Sequence, residues 1–266
     1  MVKGLYTAYT GLVNQQNRLD VLTNNLANSA TNGYKKEGTT TTTFGDTLAI
    51  KIKDTSDYGL PKGLGEITPG VKIGENYTDY SQGSFRVTDN VYDVAIDGDG
   101  FFAISFTNKA GETSVKYTRD GAFTVNTNGY LVTKDGDYVL NQDGAMASNP
   151  GAESFIQVDP NTELVIDEMG YLYQNNQQIG RLGVVDIVDY NYIEKYGENM
   201  YQLAEGGQVQ DSDAKRVQGA LEMSNVNVVS EMVEMITISR AFESNQKIVQ
   251  TIDSTLEKAV NNLARV

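Results

Sequence analysis

Asp120-Gly121-Ala122-Phe123, Asn128-Gly129-Tyr130-Leu131-Val132, Asp135-Gly136-Asp137-Tyr138-Val139-Leu140 and Asp143-Gly144 follow one another at spacings of eight, seven and eight residues. An Asx-Gly pair supplies the positive φ angles of a tight hairpin turn, and the aromatic and branched residues after it suit a strand. This stretch therefore predicts a meander of short antiparallel strands. Upstream, Asp99-Gly100 leads into Phe101-Phe102 in the same way. Downstream, Met169-Gly170-Tyr171-Leu172-Tyr173 and Leu182-Gly183-Val184-Val185-Asp186-Ile187-Val188 continue the pattern. Residues 85–223 read as a central β-domain.

Both ends of the chain have a different period. Leu5, Leu12, Leu19 and Leu26 recur every seven residues, with Val2, Tyr9 and Leu22 on the same side. That places a leucine stripe on an α-helix within residues 1–36, with Asn32-Gly33 as its stop. Met235, Phe242, Val249, Leu256 and Leu263 repeat the heptad within residues 224–266, where Asn227 is a reasonable N-cap. Neither helix can bury its stripe alone. The two can pair with each other as a coiled-coil hairpin, or each stripe can also need other chains. These nine apolar residues are the candidate assembly interface. The expected fold class is α+β, with long terminal helices pairing as a coiled coil around a mostly antiparallel β-domain.

Residues 37–84 join helix to β-domain. The unbroken run Thr39 to Thr43 and glycines at 59, 63, 65, 70 and 74 suggest an extended, weakly structured linker. Short strands are expected around Leu48–Ile52 and Val71–Ile73.

Composition narrows the chemistry. The 266 residues include no Cys and no His, which removes thiolate nucleophiles, disulfides, imidazole metal sites and the usual serine triad. The net charge is −14, with +3 in residues 1–36, −1 in 224–266 and the remaining −16 in the middle. That balance argues against nucleic acid or an anionic membrane surface as a partner. No apolar run is long enough to span a membrane. Leu12-Val13 runs directly into Asn14-Gln15-Gln16-Asn17-Arg18, so no cleavable signal peptide is expected.

Remaining candidates for chemistry read better as turns. Asp97-Gly98-Asp99-Gly100 opens like a calcium loop but has Phe101 and Asn108 where ligands are required. Asp93 with Asp97, and Asp186 with Asp189, are carboxylate pairs of the spacing expected by chance in an acidic chain. No phosphate-binding glycine loop is present. No catalytic residue, cofactor or metal site is assigned, and the chain is not expected to be an enzyme.

Four stretches resemble a known family. Asn24-Asn25-Leu26-Ala27-Asn28-Ser29-Ala30-Thr31-Asn32-Gly33-Tyr34-Lys35-Lys36 is similar to the amino-terminal signature of bacterial flagellar rod and hook proteins. Within it Asn25, Leu26, Ala27, Asn28, Thr31, Gly33, Tyr34 and Lys35 carry the match. Asp93-Val94-Ala95-Ile96-Asp97-Gly98-Asp99-Gly100-Phe101-Phe102 resembles the family's central strand motif. Tyr117-Thr118-Arg119-Asp120-Gly121-Ala122-Phe123, with Asn128-Gly129-Tyr130-Leu131, resembles the hairpins after it. Gln218 to Asn227 resembles the entry to the carboxy-terminal helix. The resemblance implies a structural subunit of the basal body that assembles with itself and with other axial proteins of rod and hook. It also implies export through the flagellar type III apparatus without a cleaved signal, and motility as the role. The alternative is an acidic surface-binding module of adhesin or phage-tail type, using the β-domain.

Overall fold

A computed structural model of the chain describes residues 2–45, 47–50, 63–108, 111–147, 150–197 and 199–263. Helix α1 spans Val2–Ala27, and strands β1 Glu37–Thr43, β2 Thr47–Ile50, β3 Gly63–Ile67 and β4 Val71–Thr78 follow. Next come β5 Phe85–Val87, β6 Val94–Asp97, β7 Phe101–Thr107 and β8 Thr113–Thr118. Three short strands, β9 Thr124–Val125, β10 Leu131–Val132 and β11 Tyr138–Val139, precede a single-turn helix, α2 Gln142–Met146. Then come β12 Val165–Ile166, β13 Tyr171–Gln174, β14 Gln177–Arg181, β15 Val184–Ile187, β16 Ile193–Gly197 and β17 Met200–Leu203. Strands β18 Val209–Asp211, β19 Lys215–Gln218 and β20 Ala220–Glu222 lead to helix α3, Val228–Leu263. The architecture is α+β. The described residues of 1–27, 36–79 and 227–266 form one compact unit, and those of 28–35 and 80–226 form the other.

In the second unit the main sheet runs β16-β17-β8-β7-β11-β10-β9, with β15 pairing both β7 and β18, and every pairing is antiparallel. Strand β7 is its hub, pairing with β8, β11 and β15, and its side chains alternate between the two faces. Phe101 and Ala103 enter one buried apolar cluster and Phe102 the other. Val185 and Val184 divide in the same way. Both faces are therefore covered. Phe101 and Phe102 are fully buried, and each contributes about 1.5–3 kcal/mol by leaving water.

The turn reading holds at Gly129 and Gly136, where φ is +81° and +97°. It fails at two other pairs. Asp143-Gly144 lies inside α2, whose N-cap Asn141 accepts from the Gly144 N–H, so the helix-capping side chain overrides the turn signal. Gly121 does not have a positive φ; a Cβ there would come within 1.7 Å of the Val94 carbonyl oxygen. Close backbone approach, not turn geometry, requires that glycine.

In the first unit the expected linker is extended but paired. β1 pairs with β4 from Glu37↔Thr78 to Thr43↔Val71, and β2 continues against β3 from Thr47↔Ile67. The Phe44 N–H donates to the Gly70 carbonyl and bridges the two ladders. The Thr run suits this ribbon because β-branched residues favour a pleated surface. The expected strand at Val71–Ile73 extends to Thr78, and the one at Leu48–Ile52 appears as Thr47–Ile50, with Ile52 outside the described residues.

Helices α1 and α3 of this unit lie antiparallel. A Cβ at Gly4 would meet Ile252 at 3.8 Å and one at Gly11 would meet Asn245 at 3.0 Å, while Asn25 bonds Glu231. These contacts step in sevens or multiples of seven along both helices, in opposite directions. Arg18 adds an ion pair with Glu234 at 2.9 Å. Another face of α1 meets the ribbon: the Thr7 hydroxyl donates to the Pro69 carbonyl and the Asn14 amide to the Thr41 hydroxyl. No helix among the described residues is long and apolar enough to cross a membrane.

Candidate functional site

The signature stretch contributes to a buried polar node in each unit. In the second unit, the segment after α1 turns at Asn28, whose carbonyl accepts from the Thr31 N–H at 3.1 Å. Gly33 then takes φ +65°, and its N–H donates to the Glu222 carbonyl at 2.8 Å. A Cβ on Gly33 would fall 2.5 Å from the Arg119 backbone carbon, so only glycine fits. Tyr34 is 3% exposed and has the Lys195 ammonium 4.7 Å from its ring centroid.

Lys35 completes the node. Its Nζ reaches Glu222 Oε1 at 2.6 Å and donates to the Ser81 carbonyl at 2.8 Å. Arg119 Nη1 bonds Glu222 Oε2 at 3.1 Å, and the guanidinium lies 5.2 Å from the Phe101 ring centroid. The Gly83 N–H also donates to Glu222 Oε1. All three charged side chains are 1% exposed, and the Glu222 carboxylate is shared by the two buried cations. Lys35, Arg119 and Glu222 come from the first, third and fourth signature stretches. The second joins the same framework through the Val94 N–H, which donates to the Gly121 carbonyl at 3.0 Å.

In the first unit, Asn25 pairs its side-chain amide with the backbone of Glu37, donating at 2.8 Å and accepting at 2.9 Å. It also donates to Glu231 Oε2 at 3.3 Å, while Lys36 reaches Glu231 Oε1 at 2.5 Å. Glu231 is fully buried. Its carboxylate, by hydrogen bonding and charge, holds the Lys36 ammonium above the ordinary lysine range. The start of α3, the end of α1 and the start of β1 are thus tied at one point.

Leu5, Leu12, Leu19 and Leu26 are half-buried, as are Met235, Phe242, Val249 and Leu256. The Leu263 side chain lies outside the described part. The residues of α1 shown to touch α3 (Gly4, Gly11, Arg18 and Asn25) are each one position before a leucine, so the leucine stripe flanks this seam. Apolar side chains also face solvent: Tyr6 and Tyr9 on α1, and Val229, Met232, Val233 and Ile236 on α3, are 48–72% exposed.

Three of the four carboxylates in these pairs are engaged by neighbouring groups. Asp93 accepts from the Asn90 amide, Asp186 from the Tyr190 hydroxyl and the Gln210 amide, and Asp189 from the Asn191 N–H. Burial, then the Asp186 carboxylate, push the Tyr190 phenol well above its usual range. Among the described residues no group of three or more acidic side chains could hold a metal ion. Sequence reasoning passed over Arg119, Glu222 and Glu231 as site residues. Their one signal is a formal charge standing among residues that otherwise read as strand core or helix start.

The chain matches three family models: "Flagella basal body rod protein" over residues 5–35, "Flagellar hook protein FlgE/F/G D1 domain" over 95–185, and "Flagellar basal body rod FlgEFG protein C-terminal" over 217–263. It is 34% identical to the flagellar basal-body rod protein FlgG of Bacillus subtilis, covering 98% of this chain and 99% of that one. To FlgG of Buchnera aphidicola from Schizaphis graminum it is 33% identical, covering 97% and 98%. To the flagellar basal-body rod protein FlgF of Caulobacter vibrioides it is 31% identical, covering the full length of both. With its signature stretches locked together by buried charge and its whole length matched, the chain belongs to the flagellar basal-body rod and hook protein family.

Proposed function

We propose that the chain is a structural, non-enzymatic subunit of the bacterial flagellar rod, which polymerises into a helical tube and transmits torque for motility. The observation that carries this reading is the apolar surface of α1 and α3. Two antiparallel helices leave Leu5, Leu12, Leu19, Met235, Phe242, Val249 and Leu256 half-exposed, and neighbouring subunits would cover them. Contacts of this non-closing kind propagate a filament. The seven-residue steps between α1 and α3 support a coiled-coil pairing. The partners are other copies and other axial proteins, and export proceeds through the flagellar apparatus without a cleaved signal peptide. The central β-domain, 85–223, forms the outer part, the ribbon within 37–84 reaches adjacent subunits, and residues 1–36 and 224–266 form the inner assembly part. Within the rod a distal, FlgG-type position is preferred to a proximal, FlgF-type one, on chain length and on the Thr- and Gly-rich composition of the 38–80 segment.

Leu19→Asp and Phe242→Asp each place a carboxylate in the apolar stripe, where burying it unpaired opposes assembly. In a flagellated host relying on this copy, either variant should abolish swimming and basal-body rods. The β-domain should keep its circular-dichroism spectrum and melting transition. Normal swimming by either variant would refute the reading.

A further inference from the structure

Helix α3 is longer than the seam it makes. Carrying the register on from Gly4–Ile252 sets Val2 opposite Ser254, so Thr255–Leu263 extends past the start of α1. This overhang is about 14 Å long at 1.5 Å per residue. It continues the heptad, with Leu256 half-buried and Val260 64% exposed. At the other end of the pair, α1 and α3 enclose an apolar groove lined by Arg18, Val229, Val233, Glu234, Ile238 and Ala241. Val229 and Val233 are 72% and 60% exposed there. Gln15 also lines the groove, and its Oε1 is buried without a hydrogen-bond partner among the described residues.

Overhang and groove cannot meet within one molecule, because Val233 and Val260 are separated by roughly 40 Å of straight helix. We infer that a second copy of this chain fills the groove head to tail, its α3 overhang lying beside Val229 and Val233. The inference rests on the rod-subunit reading and adds which surface meets which. Three observations favour a second copy. The overhang carries Glu257 and Lys258 side by side, matching the Arg18 and Glu234 on the rim of the groove. The negative carboxy-terminal end of one α3 comes near the positive amino-terminal end of the next. The overhang also extends a seam already built in the same register. Successive copies would then be offset by about 40 Å along α3, and the contact would be heterologous and open-ended.

The chain has no Cys, so a cysteine pair can be read without background. The full-length variant V233C/V260C, concentrated until electron microscopy shows polymers, is treated with a short bis-maleimide and run on a denaturing gel. The expected result is a ladder of dimers, trimers and higher multiples, with V233C and V260C alone remaining monomeric. Both positions are exposed, so a melting transition equal to that of the parent confirms folding. Polymers without a ladder overturn the head-to-tail contact and leave the subunit reading intact. Cross-linked dimers from either single variant overturn it in favour of a symmetric contact. A parent chain that never polymerises defeats the subunit reading, and this inference with it.

Discussion

Glu222 bonds both Lys35 and Arg119, and the three side chains are excluded from water. Removing one partner of a buried ion pair costs about 3–5 kcal/mol, because the remaining charge is stranded. Glu222→Gln removes the charge that two buried cations share, whereas Lys35→Met leaves a one-to-one pair with Arg119. The first should therefore destabilise the second unit by at least that amount, and the second by clearly less. Urea denaturation of the two variants checks the order, and equal midpoints would show that the node is not electrostatic. Asp120 has the opposite character. Burial raises its carboxyl above the usual range, against the Ala122 N–H and Lys134, which lower it, and with Asp93 and Asp135 adding repulsion. An acid with a raised folded-state pKa holds its proton better folded than unfolded, so stability falls as pH rises between the ordinary carboxyl value and the raised one. Asp120→Asn keeps an acceptor for the Ala122 N–H and removes that titration. It should lessen the loss of stability between mildly acidic and neutral pH, measured as melting temperature across the range.

At the scale of elements, what could be read from the sequence depended on how far apart the interacting residues lie. The hairpin turns at Gly129 and Gly136 were legible because Asx-Gly acts over a few residues. The ribbon was not, because Thr43 pairs with Val71 across the intervening strands and nothing near the Thr run identifies its partner. The leucine heptad located α1 but could not say which side meets α3. On the α1 side small and polar residues make the contacts seen there, and Gly11 beside Asn245 carries no hydrophobic signal. The buried node was illegible for the same reason of distance, since Lys35 and Glu222 are 187 residues apart. Asn25 tests the corresponding point in the first unit. Asn25→Ala removes both bonds to the Glu37 backbone and a donor to Glu231, each buried group left short costing about 1–3 kcal/mol. Amide exchange should accelerate in Glu37–Thr43 and in the first turns of α3, but not in β7 or β8. Unchanged exchange at Glu37–Thr43 would show that α1 does not hold the ribbon through this side chain.

For the whole molecule, charge and apolar surface are placed in different parts of the chain. Residues 37–223 carry −16 of the net −14, while the two helical ends nearly balance. Subunits brought together along α1 and α3 must therefore crowd like-charged middle segments against one another. That repulsion acts over about 30 Å at 0.01 M salt but only about 8 Å at 0.15 M. An interface made of Leu, Met, Val and Phe is not weakened by the same change, since apolar burial does not depend on screening. Assembly of the purified chain should therefore speed up and extend to lower protein concentration as salt is raised between those values, followed by light scattering and sedimentation. The exposed ion pairs seen here, such as Lys215–Glu168, are themselves screened by salt and cannot reverse the trend. If polymers instead dissolved as salt increased, the contacts holding them would be charge pairs, and the half-exposed stripes of α1 and α3 would not be what joins one subunit to the next.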